Sequence, residues 1–388
     1  MIRTLFLIIS FLFISNTLCF SQKDGDVITN KSKKTTTNKE KQAEKKRIEK
    51  QIKDNESSDT SDKAKKGNGN YGPTYGVASI RVRDSIYMLK GKGGNIGLFV
   101  GPEGAFMIDN QFAEGTDAIL KTIGNLTDKP VRFLVNTHHH ADHTGGNKNL
   151  LNEGVVILAQ ENVRKQLIEE AKKKKQDSID KIFNKTLEKL SNDGVVGDRA
   201  EEGAKRVVSS LEADIALENN FPMITYEENL TFHLNGQKIF IFHIHKAHTD
   251  GDSVIYFTDS NVIHTGDLFV NGLYPFIDTA NGGTYNGYVN SLSKIAMIAD
   301  DETKIIPGHG EIASIKDVKY TQSMLEFLHS RVEVHYLENK TREQIFALNL
   351  TKDFDEKGFG KGFISTEKFF NFIFDDVEKK YKKVKSKE

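Results

Sequence analysis

The densest chemistry in the sequence is the run Thr137-His138-His139-His140-Ala141-Asp142-His143-Thr144-Gly145-Gly146, four imidazoles and a carboxylate within six residues. It follows directly on an apolar stretch at 131–136, and loops leaving strand ends are where layered α/β proteins place function. In an extended segment alternate side chains share a direction, so His138 and His140 point together while His139 points elsewhere. Asp142 and His143 then fall in a turn, where they can face a second ion. Imidazole with carboxylate is a ligand set for zinc and, less selectively, for iron or manganese.

Three further donors stand at the ends of apolar runs downstream. His248 opens His248-Thr249-Asp250-Gly251-Asp252, Asp267 closes Thr265-Gly266-Asp267, and His309 sits in Pro307-Gly308-His309-Gly310. A lone histidine at a strand end is more often a satisfied polar residue than a ligand. Three donors in one context, added to the first cluster, are not independent accidents. His139, His243, His245, His264 and His329 lack that context and read as structural.

The ordered set His138-x-His140-x-Asp142-His143, His248, Asp267 and His309 resembles the metallo-β-lactamase superfamily over roughly residues 76–337. That resemblance implies a four-layer αββα sandwich of the α/β (α+β) class. It implies two Zn2+ per chain, with His138, His140 and His248 on the first metal and Asp142, His143 and His309 on the second. Asp267 would bridge the two, and Asp109 would support the histidine loop from behind the ligands. The implied chemistry is hydrolysis of a carbonyl bond (ester, lactone, thioester or amide) in a small molecule, by a metal-bridged hydroxide that Asp142 helps to orient. The commonest true β-lactamases of the superfamily use a cysteine ligand, whereas Cys19 is the only cysteine here and precedes the whole motif set. Asp267 is closer to the pattern of glyoxalase-II-like thioesterases and lactonases. β-Lactam hydrolysis and a mononuclear iron sulfur dioxygenase are the alternatives.

These residues need elements to hold them. Apolar and β-branched runs at 85–90, 96–100, 105–109, 131–136 and 155–159, with helical spacing at 116–126, predict one strand-rich half. Runs at 238–245, 253–258 and 262–265 predict a second half spanning 230–307, and 315–337 and 366–380 have helical spacing. Between the halves, residues 161–219 read as two or three amphipathic helices that interrupt the fold and could cap the substrate groove. The segment 272–276 follows Asp267 closely and could line that groove, with Tyr274 as a substrate contact, although a packed tyrosine is the commoner case. The domain is thus expected over 71–337, followed by a helical extension at 338–388.

Upstream, Arg3 and the apolar residues 5–14 have the form of a secretory signal, too short for a membrane span, with cleavage expected after Ser21. Acylation at Cys19 is disfavoured by the bulky Leu18 before it. Residues 22–70 are a charged, low-complexity tether that cannot bury enough apolar surface to fold. Export to the periplasm or medium favours zinc over ferrous iron at such a site. The 388-residue chain has a formal net charge of zero, which gives no footprint for nucleic acid. A small-molecule substrate is therefore the expected partner, and composition sets no oligomeric state.

Overall fold

The computed structural model describes residues 75–211 and 219–385, with side chains described as far as 382. The signal and the tether expected at 1–21 and 22–70 lie outside the described residues.

Twelve strands form two sheets among the described residues. The first sheet takes β1 (Ala78–Arg83), β2 (Ile86–Lys90), β3 (Ile96–Phe99), β4 (Ala105–Ile108), β5 (Val131–Asn136), β6 (Val156–Gln160) and β7 (Ile224–Tyr226) in sequence order. β1 to β4 are antiparallel neighbours, and β4 to β7 are parallel. The second sheet has the order β12-β11-β10-β9-β8, formed by β8 (Asn229–Leu234), β9 (Gln237–His243), β10 (Ser253–Phe257), β11 (Val262–His264) and β12 (Lys304–Ile306). Only β11 and β12 run parallel in it.

The pleat sorts side chains between layers. In β4, Phe106 and Ile108 face the other sheet and meet Ile239, Ile255 and Phe257, whereas Ala105 and Met107 face outward. That outer face is covered by Ile119 and Ile123 of α1 (Thr116–Gly124) and, beyond α2 (Ala141–Thr144), by Leu150 of α3 (Asn147–Asn152). The outer face of the second sheet, with Val254, Ile263 and Ile305, is covered by α6 (Tyr285–Ile298), α7 (Ile315–Leu337) and α10 (Thr366–Lys385). This is the αββα sandwich expected from the motifs.

The interruption is built of α4 (Glu161–Asn192) and α5 (Asp198–Leu211). Only the first turns of α4 belong to the core, through Val163, Leu167 and Ala171. Its remaining turns bury no side chain, and Leu190 packs against Gly203 of α5. The C-terminal extension adds α8 (Arg342–Phe346) and α9 (Lys352–Asp355) before α10. Phe369, Phe370, Ile373 and Val377 of α10 lie in one apolar cluster with Val318, Leu325 and Leu328 of α7. Among the described residues no helix is long and apolar enough to cross a membrane.

Candidate metal centre

Every expected ligand leaves the C-terminal side of a strand. β5 delivers His138 and His140, and the chain then turns into α2, which carries Asp142 and His143. The loop from β9 to β10 carries His248, while the turns after β11 and β12 carry Asp267 and His309. Parallel pairing of β4 with β5 and of β11 with β12 brings these ends together. All seven residues converge in two groups, His138-His140-His248 and Asp142-His143-His309, and Asp267 lies beside both.

Hydrogen bonds on the far side of each ring fix which nitrogen faces inward. Asp109 Oδ2 accepts the Thr137 hydroxyl at 2.8 Å, so the Thr137 oxygen must accept from His138 Nδ1–H at 3.0 Å. His248 Nδ1–H donates to the Phe276 carbonyl at 2.8 Å, and His140 Nε2–H donates to Asp278 Oδ2 at 2.9 Å. The inward atoms are therefore bare lone pairs: His138 Nε2 lies 3.1 Å and His248 Nε2 3.0 Å from His140 Nδ1. In these tautomers three lone pairs converge, an arrangement that a cation between them would satisfy. The second group has the same logic. His143 Nδ1–H donates to Asp109 Oδ2 at 2.7 Å, which turns its Nε2 toward Asp267 Oδ1 at 3.2 Å and His309 Nε2 at 3.4 Å. Asp142 Oδ2 lies 3.2 Å from His309 Nε2, and Asp267 Oδ1 is buried without a hydrogen-bond partner. This donor set fits cations of the imidazole- and carboxylate-loving kind.

The two groups differ electrostatically. Burial pulls His138 well below the usual imidazole range and His248 down to about 4, so both are neutral and ready to coordinate. Burial lowers His309 and His143 as well, but the carboxylates outweigh it. Asp267 leads in both cases, holding His309 at about 9 and His143 well above its ordinary value. The acidic half of the centre thus demands positive charge, which protons or a metal can supply.

Close backbone approach makes this geometry attainable. A Cβ on Gly94 would stand 2.1 Å from His143 Cε1, and one on Gly308 would stand 1.9 Å from Asp267 Oδ1. Neither position admits a side chain. Asp109 sits at φ +60°, from where it also accepts the Thr137 backbone N–H at 2.8 Å.

Four polar residues that the motifs did not single out complete the frame. Asp278 orients His140 and is itself held by the Asn281 side chain at 2.7 Å and by backbone N–H groups of Ala280 and Asn281. Asn95 donates to the Pro307 and Gly310 carbonyls, both at 2.9 Å, and so pins the His309 turn. Asp252 accepts the Thr249 backbone N–H at 2.7 Å, closing the His248 loop, and burial pushes its carboxyl up to about 7. Glu170 on α4 reaches within 3.7 Å of His139 Nε2. His139 itself is buried outside both triads. Aspartate, asparagine and glutamate this far from the histidine run carry no local signature; only the acidic end of His248-Thr249-Asp250-Gly251-Asp252 could have been found from sequence.

Tyr274 is the expectation that the geometry redirects. Its hydroxyl donates to Asp355 Oδ1 at 2.9 Å and its ring stacks on Phe369 at 4.2 Å, so it belongs to the C-terminal helical layer. Phe276, two residues on, is the part of that segment at the centre, with its ring 5.7 Å from that of His140 and 5.9 Å from that of His248.

A four-layer sandwich with a His/Asp metal-binding cluster at its strand ends defines the class of protein. The chain belongs to the metallo-β-lactamase superfamily, whose family model matches residues 89–309, more than half of its length. It is 22% identical over 252 residues to a linear primary-alkylsulfatase from Pseudomonas sp. (strain ATCC 19151), covering 59% of this chain and 45% of that protein. It is 30% identical over 188 residues to a hydroxyacylglutathione hydrolase from Pelagibacter ubique (strain HTCC1062), covering 47% and 54%. The chain thus spans about half the length of these curated relatives. Among solved structures it is similar to a metallo-β-lactamase from Pontibacter korlensis, with a TM-score of 0.45 and 16% identity over 64% of this chain and 99% of that one.

Proposed function

We propose that the protein is a dinuclear zinc hydrolase that cleaves a carbonyl bond (ester, lactone, thioester or amide) in a small molecule. The observation that carries this reading is the convergence of seven imidazole and carboxylate side chains in two groups, with Asp267 beside both. His138, His140 and His248 would hold one zinc; Asp142, His143 and His309 the other; and Asp267 would contact both. A zinc pair so held supplies water activated near neutral pH and a Lewis acid for the carbonyl. The chain supplies the rest. Asp109, Asp278 and the Phe276 carbonyl keep the ligand lone pairs aimed inward. Buried Asp267 and half-exposed Asp142 bring the negative charge that offsets two cations, and Asp142, on the open side, can take a proton from the attacking water. No serine or cysteine nucleophile is required.

The name of the Pelagibacter relative supports a thioester or related acyl substrate, and that of the Pseudomonas relative adds sulfate esters to the comparison. The test is metal analysis of the purified chain together with a panel of lactone, thioester, β-lactam, alkyl sulfate and phosphodiester substrates. About two zincs per chain with turnover of an acyl substrate is expected. One tightly bound iron, or turnover confined to β-lactams, would replace this reading. Export to the periplasm or medium is part of the proposal, and its test is the cellular fraction and N-terminus of the mature protein.

A further inference from the structure

The segment joining Asp267 to α6 passes directly over the first triad. Through its carbonyl Phe276 fixes His248, and its ring, 40% exposed, lies against His140 and His248. That ring does not end in solvent alone. It meets Phe363 edge to face, with centroids 6.1 Å apart and an interplanar angle of 84°. Phe363 belongs to the turn between α9 and α10 and is 81% exposed. The backbone before it is seated, since a Cβ on Gly362 would come within 2.9 Å of Leu273. At the outer end Lys368 Nζ stands 5.4 Å from the Phe363 centroid.

Single exposed apolar residues are ordinary on a protein surface, but two aromatics in register from a metal centre outward form a directed apolar path. Folding gains little from holding Phe363 in water, whereas a bound chain lying across both rings would remove their faces from water. A substrate whose reacting group sits at the first triad lies beside Phe276, whose ring flanks His140 and His248.

We propose that Phe276 and Phe363 form a subsite for the apolar chain of the substrate, so that the preferred substrates are acyl compounds bearing an extended alkyl or aryl group. This rests on the hydrolase reading above, so the test measures binding and not turnover. Straight-chain carboxylates from acetate to octanoate, which pair a metal-seeking head with a graded tail, are titrated calorimetrically into the zinc-loaded full-length chain. Affinity is expected to rise about fourfold per methylene that reaches the rings. Phe363→Ser should flatten the outer part of that rise, leaving acetate binding and zinc content unchanged. Phe276→Ala should flatten it from the first carbons. The proposal is overturned if octanoate binds no tighter than acetate, or if the Phe363→Ser protein keeps the full dependence on chain length. A graded affinity with no turnover of any acyl substrate would retire the hydrolase reading and leave the subsite standing. A flat series with acyl turnover would do the reverse.

Discussion

His140 shows how much of a metal site is decided one atom away from the metal. Its Nδ1 can serve the first triad only while Nε2–H is held by Asp278. Asp278→Ala should weaken the first metal about 10- to 100-fold, read by competition with a chromophoric chelator, and Asp278→Asn, which keeps an acceptor, should weaken it less. Asp267→Ala should lower occupancy chiefly at the second metal, because His143 and His309 then lose the carboxylate that dominates their charge. Two zincs and near-normal turnover in that variant would show that Asp267 is no bridge. His264 differs from both. Its Nε2–H donates to the Asn95 carbonyl, and its Nδ1 accepts the Gly266 N–H, so it is locked neutral, with burial pulling it to about 4. A neutral buried histidine stabilises the fold above the unfolded pKa near 6.5, and the gain is lost as pH falls from there toward 4. In metal-free protein this amounts to about 3 kcal/mol. Urea unfolding at pH 7.5 and 4.5 should show a steeper loss for wild type than for His264→Asn. The seven side chains that cluster were legible as candidates because their residue types sit in short spacings at strand ends. Asp278, Asn95 and Glu170 were not, because common polar residues gain meaning only when the fold sets them behind a ligand.

At the scale of elements, α4 has two unlike parts. Its first turns are core and site wall together: Asn162 donates to the Asp250 carbonyl at 2.9 Å, and Glu170 approaches His139. The remaining turns pack on α5 beyond the sandwich. Replacing residues 175–211 by a short Gly-Ser link should therefore leave zinc content intact, with any change confined to substrate preference. Extending the deletion back to 161 should cost metal, and elemental analysis of both proteins separates the two parts. The strands with continuous apolar runs, β5 and β10 among them, were readable to within a residue, and α7 matched at both ends. β1 was not predicted: Ser79, Arg81 and Arg83 alternate with Ile80 and Val82 at a sheet edge, and the polar half hid the pattern. β7 is three residues long with Ile224 largely exposed, too short to show any period.

For the whole molecule, the C-terminal extension is a structural layer in its own right. Phe369 and Phe370 complete the apolar cluster that backs the second sheet, and Phe369 is fully buried. Phe369→Ala should cost about 3–5 kcal/mol, measured by urea unfolding, and a chain ending at residue 337 should fail to hold its second sheet. That dependence reaches into synthesis. His309, the last of the seven clustered residues, leaves the ribosome well before α10, yet the layer behind β11 and β12 closes only when α10 arrives. At roughly 5–20 residues per second, that interval spans seconds during which the donors exist but their platform does not. A ligand set completed before its supporting layer should therefore acquire its metal late, only once α10 has packed behind the second sheet.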